Sequence, residues 1–264
     1  MQLTKIVRGL TLPLLAAGAL MAQPAPKPQP VTMMSYFKVP LDKVSAFTTK
    51  GKQFVPVLDS LFAAGTIFAY AIDVDYLHAP GGANVTMWYT AANMADLGKA
   101  EAAIGDFIVK NPQLMTELGA LHDMNQHRDV IVRSPVISMS SSSACAAKFG
   151  SSTTEKVKQG KVGDDVALFN KYWKSEMDAL VKSGVICAYG YDVEWFHTTA
   201  PGMTFRWVLM PDLGGFDKMR AASQAAWAKL PEPEQKLLEA FDEANYDASA
   251  HRDNLSALVV YKSK

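Results

Sequence analysis

The sequence predicts an α+β protein made of one unit written twice. Three observations predict it: a gapless internal repeat, the same order of strand-like and helix-like segments in each copy, and a serine-rich connector between the copies. The run Leu58 to His78 lies over Met177 to His197, with identities at Gly65/Gly184, Tyr70/Tyr189, Asp73/Asp192, Val74/Val193 and His78/His197. Asp75/Glu194, Tyr76/Trp195 and Leu77/Phe196 keep chemical type, and Trp88 and Trp207 hold the same offset. The triplet His127-Arg128-Asp129 returns a few residues late as His251-Arg252-Asp253, so the second copy carries a small insertion in its last helical region.

The elements follow in order. An opening strand is expected around Met33 to Val39 in copy one; its counterpart, Thr153 to Val162, is lysine-rich and the weakest strand pattern in the chain. Apolar residues at Phe47, Phe54, Leu58 and Leu61 recur as Val166, Trp173, Met177 and Leu180, one stripe on a helix in each copy. Gly65 and Gly184 stop those helices, because glycine takes the left-handed conformation that a helix end asks for. Two strand-like runs come next, Thr66 to Leu77 and Asn84 to Thr90, repeated as Val185 to Phe196 and Met203 to Met210, each pair joined through a Pro-Gly turn. A second helical region is broken by Pro112 in one copy and by Pro231 and Pro233 in the other, and closing strands follow at Asp129 to Ser138 and Leu255 to Tyr261.

Composition bounds the partners. The chain has 264 residues, 49% of them apolar, and 26 basic residues balance 26 acidic ones. With no net field to gather phosphates, nucleic acid is not an expected partner. Two positive charges, an apolar run from Leu10 to Ala22 and a proline-rich stretch after it read as a signal peptide with cleavage near Ala22, although Leu20 stands where a small residue is preferred. The run is too short to span a membrane, so a periplasmic or secreted protein without membrane contact after processing is expected. The organisation is then signal peptide 1–22, proline-rich linker 23–31, first repeat 32–138, serine-rich linker 139–152 and second repeat 153–264. Cys187 sits in an apolar run and reads as a small hydrophobe, while Cys145 lies in the connector; an exported chain leaves open whether they pair.

The order strand, helix, strand, strand, helix, strand is the βαββαβ, or ferredoxin-like, motif. Two such units in tandem resemble the dimeric α/β-barrel superfamily, in which two ferredoxin-like units set their sheets face to face. The resemblance covers about residues 32–262 and implies an intramolecular dimeric α/β barrel. The superfamily includes cofactor-free monooxygenases, haem-handling enzymes, isomerases and ligand-binding regulators, so the fold leaves the activity open.

Alternation assigns faces on the second strand of each copy. Phe68, Tyr70, Ile72 and Val74 point one way, toward the helices; Ala69, Ala71, Asp73 and Asp75 point the other, toward the partner sheet, as do Ala188, Gly190, Asp192 and Glu194. Asp73, Asp192, His78 and His197 are the candidate catalytic residues. Asp75, Glu194, Tyr70, Tyr189 and Arg206, the last as counter-charge, are the candidate ligand-binding ones. The alternative is that the acids lie at wet strand ends in ordinary ion pairs, and that His78 and His197 only brace their turns. His127-Arg128-Asp129 and its copy are expected to open the last strands, with Arg and Asp paired across the sheet. No spacing for a metal site, a haem attachment or a nucleophilic serine occurs, so no metal or cofactor is expected. The expected function is an exported, non-catalytic protein that binds a small molecule or a partner, as a monomer or weak homo-oligomer. The alternative is a cofactor-free enzyme of the dimeric α/β-barrel type, monooxygenase- or isomerase-like.

Overall fold

The computed structural model describes residues 29–76, 82–140, 145–196 and 202–264. The predicted signal peptide, His78 and His197 lie outside them. Copy one comprises strand β1 (Val31–Phe37), helices α1 (Val44–Gly51) and α2 (Val55–Ala63), strands β2 (Ala69–Asp75) and β3 (Val85–Ala91), helices α3 (Met94–Lys110) and α4 (Pro112–Gly119), and strand β4 (Arg128–Met139). Copy two repeats this as β5 (Phe149–Lys156), α5 (Val162–Tyr172), α6 (Lys174–Lys182), β6 (Ala188–Glu194), β7 (Met203–Met210), α7 (Gly214–Lys229), α8 (Glu232–Asn245) and β8 (Arg252–Ser263). The late return of the His-Arg-Asp triplet has its cause in α8, which at 14 residues outruns the 8 of α4.

Strand β5 begins at Phe149, ahead of the expected Thr153. Its polar run, Ser151 to Thr154, was hard to read as a strand because neither face of it is apolar; it forms because β7 and β8 pair it on both sides.

All eight strands close into one antiparallel barrel in the order β1-β3-β2-β8-β5-β7-β6-β4. Each copy contributes four neighbours, and the copies meet through the β2–β8 and β4–β6 ladders. Closure removes the two edges that each four-stranded sheet would leave to water or to aggregation. The ladder between β4 and β6 shifts register between Arg133 and Val136. Pro135 lies in that gap, and the β2–β8 ladder shifts at the matching place, between Ile72 and Asp73, where Val259 stands instead of proline, so the irregularity belongs to the barrel closure and the proline is accommodated there.

The helices cover the outside of the barrel. Phe47, Phe54, Leu58 and Leu61 are all buried against Ile67, Tyr70 and Ile72, as the stripe predicts. In copy two Leu180 is buried, and Val166, Trp173 and Met177 pack half-buried around Tyr189 and Tyr191. Gly65 and Gly184 take φ of 76° and 73°, the left-handed helix ends anticipated for them. Cys145 and Cys187 form a disulfide with Cα atoms 5.3 Å apart. The connector places Cys145 beside the entry to β6, where the Ser140 amide also donates to the Cys187 carbonyl at 2.8 Å.

Candidate active site

The inner faces of the strands enclose a cavity of about 150 Å³. Its wall is asymmetric, although the backbone is nearly two-fold. On the first copy β1 offers Thr32, Met34 and Tyr36, opposite Thr90, Trp88 and Thr86 of β3, so that at the mouth end a large residue of β1 faces a small one of β3. On the second copy the sizes are exchanged: β5 offers Gly150, Ser152 and Thr154, opposite Phe205 and Leu209 of β7. Both walls carry hydroxyl groups, and Asn254 and Ser256 of β8 add more polar lining.

Two carboxylates face this space, one from each copy. Alternation along β2 and β6 puts Asp73 and Asp192 inside, which corrects the reading that they lie at wet strand ends in ordinary ion pairs. Each is held by an indole from the adjacent strand: Trp88 Nε1 donates to Asp73 Oδ2 at 3.2 Å, and Trp207 Nε1 to Asp192 Oδ2 at 2.8 Å. Burial pushes both carboxyls up to about 7, against the indole bonds that favour the ionised form. Near neutrality each is therefore divided between acid and base.

The second supports differ. Asp73 faces Thr86, on its own copy's β3, and the threonine favours its ionised form. At the matching register Asp192 meets Phe205, and its hydroxyl neighbour is instead Ser134 on β4 of the other copy, at the Pro135 bulge. Asp192 Oδ1 and Ser134 Oγ are both buried and make no hydrogen bond of ordinary geometry among the described residues. Asp192 is only 3% exposed, whereas Asp73 is half-buried and opens onto the cavity. Tyr36 completes the group. Burial raises its hydroxyl well above the ordinary tyrosine range, Arg128 opposes that shift, and the charges of Asp73 and Asp192 add to it, so all three acids share one neighbourhood.

Sequence reasoning missed Tyr36 and the two indole bonds. The signal for the bonds was there: Asp and Trp stand 15 residues apart in both copies, on paired strands of a hairpin. Tyr36 had no such signal, because it reaches the site from an opening strand whose pairing is set by the tertiary fold.

The other candidates lie elsewhere. Asp75 sits at the end of β2, where Asn254 Nδ2 donates to it at 2.8 Å. Glu194 is buried at the end of β6, on the wall of a second opening. Tyr70 and Tyr189 point outward under the helices, where they donate to Asp59 and Asp178 at 2.8 and 2.7 Å. The parity of their strands keeps both out of the central cavity; Tyr189 lies instead on the wall of an outer cavity of about 690 Å³ beneath α5, α6 and α7.

Arg206 is likewise outside the central cavity: Phe205 and Trp207 face that space, so Arg206 faces out, onto the same outer cavity as Tyr189. It sits beneath α5 and α8, 3.3 Å from both Glu155 and Asp165 and hydrogen-bonded to Tyr246. The His-Arg-Asp triplets also pair differently from expectation. The histidine, not the arginine, meets the aspartate, at 3.2 Å for His127–Asp129 and 3.1 Å for His251–Asp253. Ser35 and Thr153 donate to the same aspartates across the sheet. His122 packs against Phe37 and Phe47, away from the cavity.

No protein-family model and no curated protein matches the chain. Solved structures do. A "putative monooxygenase" from Fusobacterium nucleatum superposes with a TM-score of 0.61 over 90% of this chain and 95% of its own, at 10% identity. Another from Lactobacillus acidophilus gives 0.58 over 89% and 96%, at 12% identity. The chain has the dimeric α/β-barrel fold, both halves in one polypeptide. An anthrone oxidase-like protein shares this barrel with a TM-score of 0.53 over 89% of the chain and 93% of its own, at 10% identity. At such identities the likeness to these barrels is one of fold. Their names nevertheless correct the expectation of a non-catalytic binding or interaction protein and side with the enzyme alternative.

Proposed function

We propose that this dimeric α/β barrel is a monooxygenase-like enzyme that acts on a small carbon acid with Asp73 as general base. The observation that carries the reading is the pair of enclosed carboxylates, each fixed by an indole N–H and each with a proton affinity near neutrality. General bases work best with a pKa close to the operating pH. Both carboxylates line the cavity, and Asp73 is taken as the base because it is the more exposed residue, half-buried against 3% for Asp192. Burial and the charge of Asp75 raise the proton affinity of Asp73, while Trp88 and Thr86 hold it down.

The chemistry balances without a further donor. Asp73 takes a proton from an activated CH2 group, and the bonding pair stays on carbon as an enolate. Dioxygen accepts those electrons; one oxygen becomes the product carbonyl, and the other leaves as water with the two hydrogens of the CH2 group. The asymmetric wall supports this reading, since a substrate bound over Gly150 and Ser152 meets one carboxyl rather than two equivalent ones. The Cys145–Cys187 disulfide suits the oxidising compartment that we infer from the amino-terminal segment.

Oxygen uptake with anthrone as the probe, followed with the appearance of anthraquinone, tests the proposal. One oxygen consumed per quinone formed, with the rate lost in Asp73→Asn, is expected. Uptake unchanged in both Asp73→Asn and Asp192→Asn overturns it.

A further inference from the structure

The repeat sets one arginine at the start of the last strand of each copy, Arg128 on β4 and Arg252 on β8. Barrel closure brings both to one end, where they line an opening of about 310 Å³ together with Val130, Met203 and Glu194. This mouth shares Tyr36, Thr154 and Phe205 with the central cavity, so the two spaces share one wall. Both guanidinium groups are exposed, and the contacts that hold them are to a ring and to backbone. Arg128 lies over the Tyr36 ring at 4.9 Å, and Arg252 donates to the carbonyls of Ser249 and His251 at 3.0 and 2.5 Å. Among the described residues Glu194 is the one carboxylate lining the mouth, and it is buried and already engaged; Asp75 stands near enough for its charge to act on Tyr36 and is bonded to Asn254.

Resting on the enzymatic reading above, we propose that the substrate is an organic carboxylate whose charged end is held at the mouth by Arg128 and Arg252. Its apolar end points inward, toward Asp73. Glu194 and Asp75 are already engaged, so the two guanidinium groups are the cations left to meet an entering anion, and the planar guanidinium fork matches a carboxylate bidentately. The interior has the opposite sign, because Asp73 and Asp192 make any second negative charge there costly. This gradient fixes orientation: an anion cannot enter head first, and the aromatic sides of Tyr36 and Phe205 receive a flat apolar body between the two zones. Each Arg also comes from a different copy, so both halves of the chain are needed to hold one substrate.

Calorimetric titration of the full chain with 2-naphthoate and with its neutral isostere 2-naphthamide tests this. Naphthoate is expected to bind at least about tenfold more tightly, the size of one charge-assisted contact. Raising the salt, or the double substitution Arg128→Gln with Arg252→Gln, is expected to bring naphthoate down to the affinity of the amide while the amide stays unchanged. Equal binding of both probes to the unaltered chain, or binding of neither, overturns the proposal without recourse to a variant. The binding readout is independent of turnover. A naphthoate preference in a protein whose oxygen uptake ignores Asp73→Asn and Asp192→Asn sinks the catalytic reading and not this one, whereas base-dependent uptake without the preference does the reverse.

Discussion

The indole of Trp207 lies over the α-carbon of Gly190, so close that a methyl group built there would stand 2.4 Å from ring atom Cζ2 and 2.8 Å from Nε1. In the first copy Ala71 holds the same register opposite Trp88. There the indole-to-carboxylate bond is 3.2 Å, against 2.8 Å where glycine lets the ring settle. Gly190→Ala is therefore expected to push Trp207 off Asp192 and to cost about 1–3 kcal/mol, the usual range for overpacking. Ala71→Gly, which relieves no contact, is expected to cost under about 1 kcal/mol through backbone entropy. Urea unfolding of the two variants decides it, and equal losses would mean that the ring has room to move.

A base with a proton affinity near neutrality leaves a signature in rate. With Asp73 at about 7, kcat/KM on a carbon acid should rise with pH and level off above that value. Asp73→Asn should lower it by about a hundredfold or more and flatten the rise. Asp75→Asn removes the charge that adds to burial in raising Asp73, so the Asp73 carboxyl should titrate lower and the profile should move to more acid pH. A profile that stays in place in Asp75→Asn would show that burial alone raises Asp73.

The same groups work against stability at high pH. Both carboxyls have folded values near 7 against 3.8 for the free side chain, so the folded state holds their protons more tightly than the unfolded chain does. Stability from this source is complete below about pH 4 and is lost as pH rises through 7. The double change Asp73→Asn with Asp192→Asn keeps an acceptor for each indole but removes the charge. It should match the parent at pH 4 and exceed it by about 2–4 kcal/mol at pH 8, a figure reduced from the full linkage because Asp73 opens onto the cavity. Thermal unfolding at the two pH values checks this, and a variant less stable at both would contradict it.

Much of this site was legible before any coordinates. Strand parity alone put Asp73 and Asp192 inside and Tyr70 and Ile72 under the helices, because a two-residue period is local. Applied to β7, the same count from Trp207 would have turned Arg206 outward; the error came from reading its charge before its parity. Tyr36 and the Arg128–Arg252 mouth were out of reach. Each depends on pairings between strands far apart in the sequence, such as Tyr36 with Arg128, and those are decided by the barrel and not by the spacing. The alternation also hid how the copies diverged: Thr86 and Phe205 occupy one register and support their aspartates differently.

Divergence is sharpest beneath α5 and α8. In copy one the space between sheet and helices is apolar, built around Phe37, Phe47, Ile72 and Met87. In copy two it holds Glu155, Asp165, Tyr191, Arg206 and Tyr246, with Tyr191 donating to Asp165 and His251 3.5 Å from Glu155. Burial raises Glu155, and the charge of Arg206 opposes that shift. Arg206→Met, which copies the apolar side chain of the first half, removes that counter-charge and leaves Glu155 and Asp165 facing each other. Breaking a buried pair from one side costs about 3–5 kcal/mol, and partial exposure of Arg206 puts the expected loss at the lower end. The loss should shrink as pH falls toward the carboxylate range, because protonation relieves the repulsion. Chemical unfolding of Arg206→Met at pH 5 and pH 8 measures both, and a loss independent of pH would mean that packing, not charge, holds this half together.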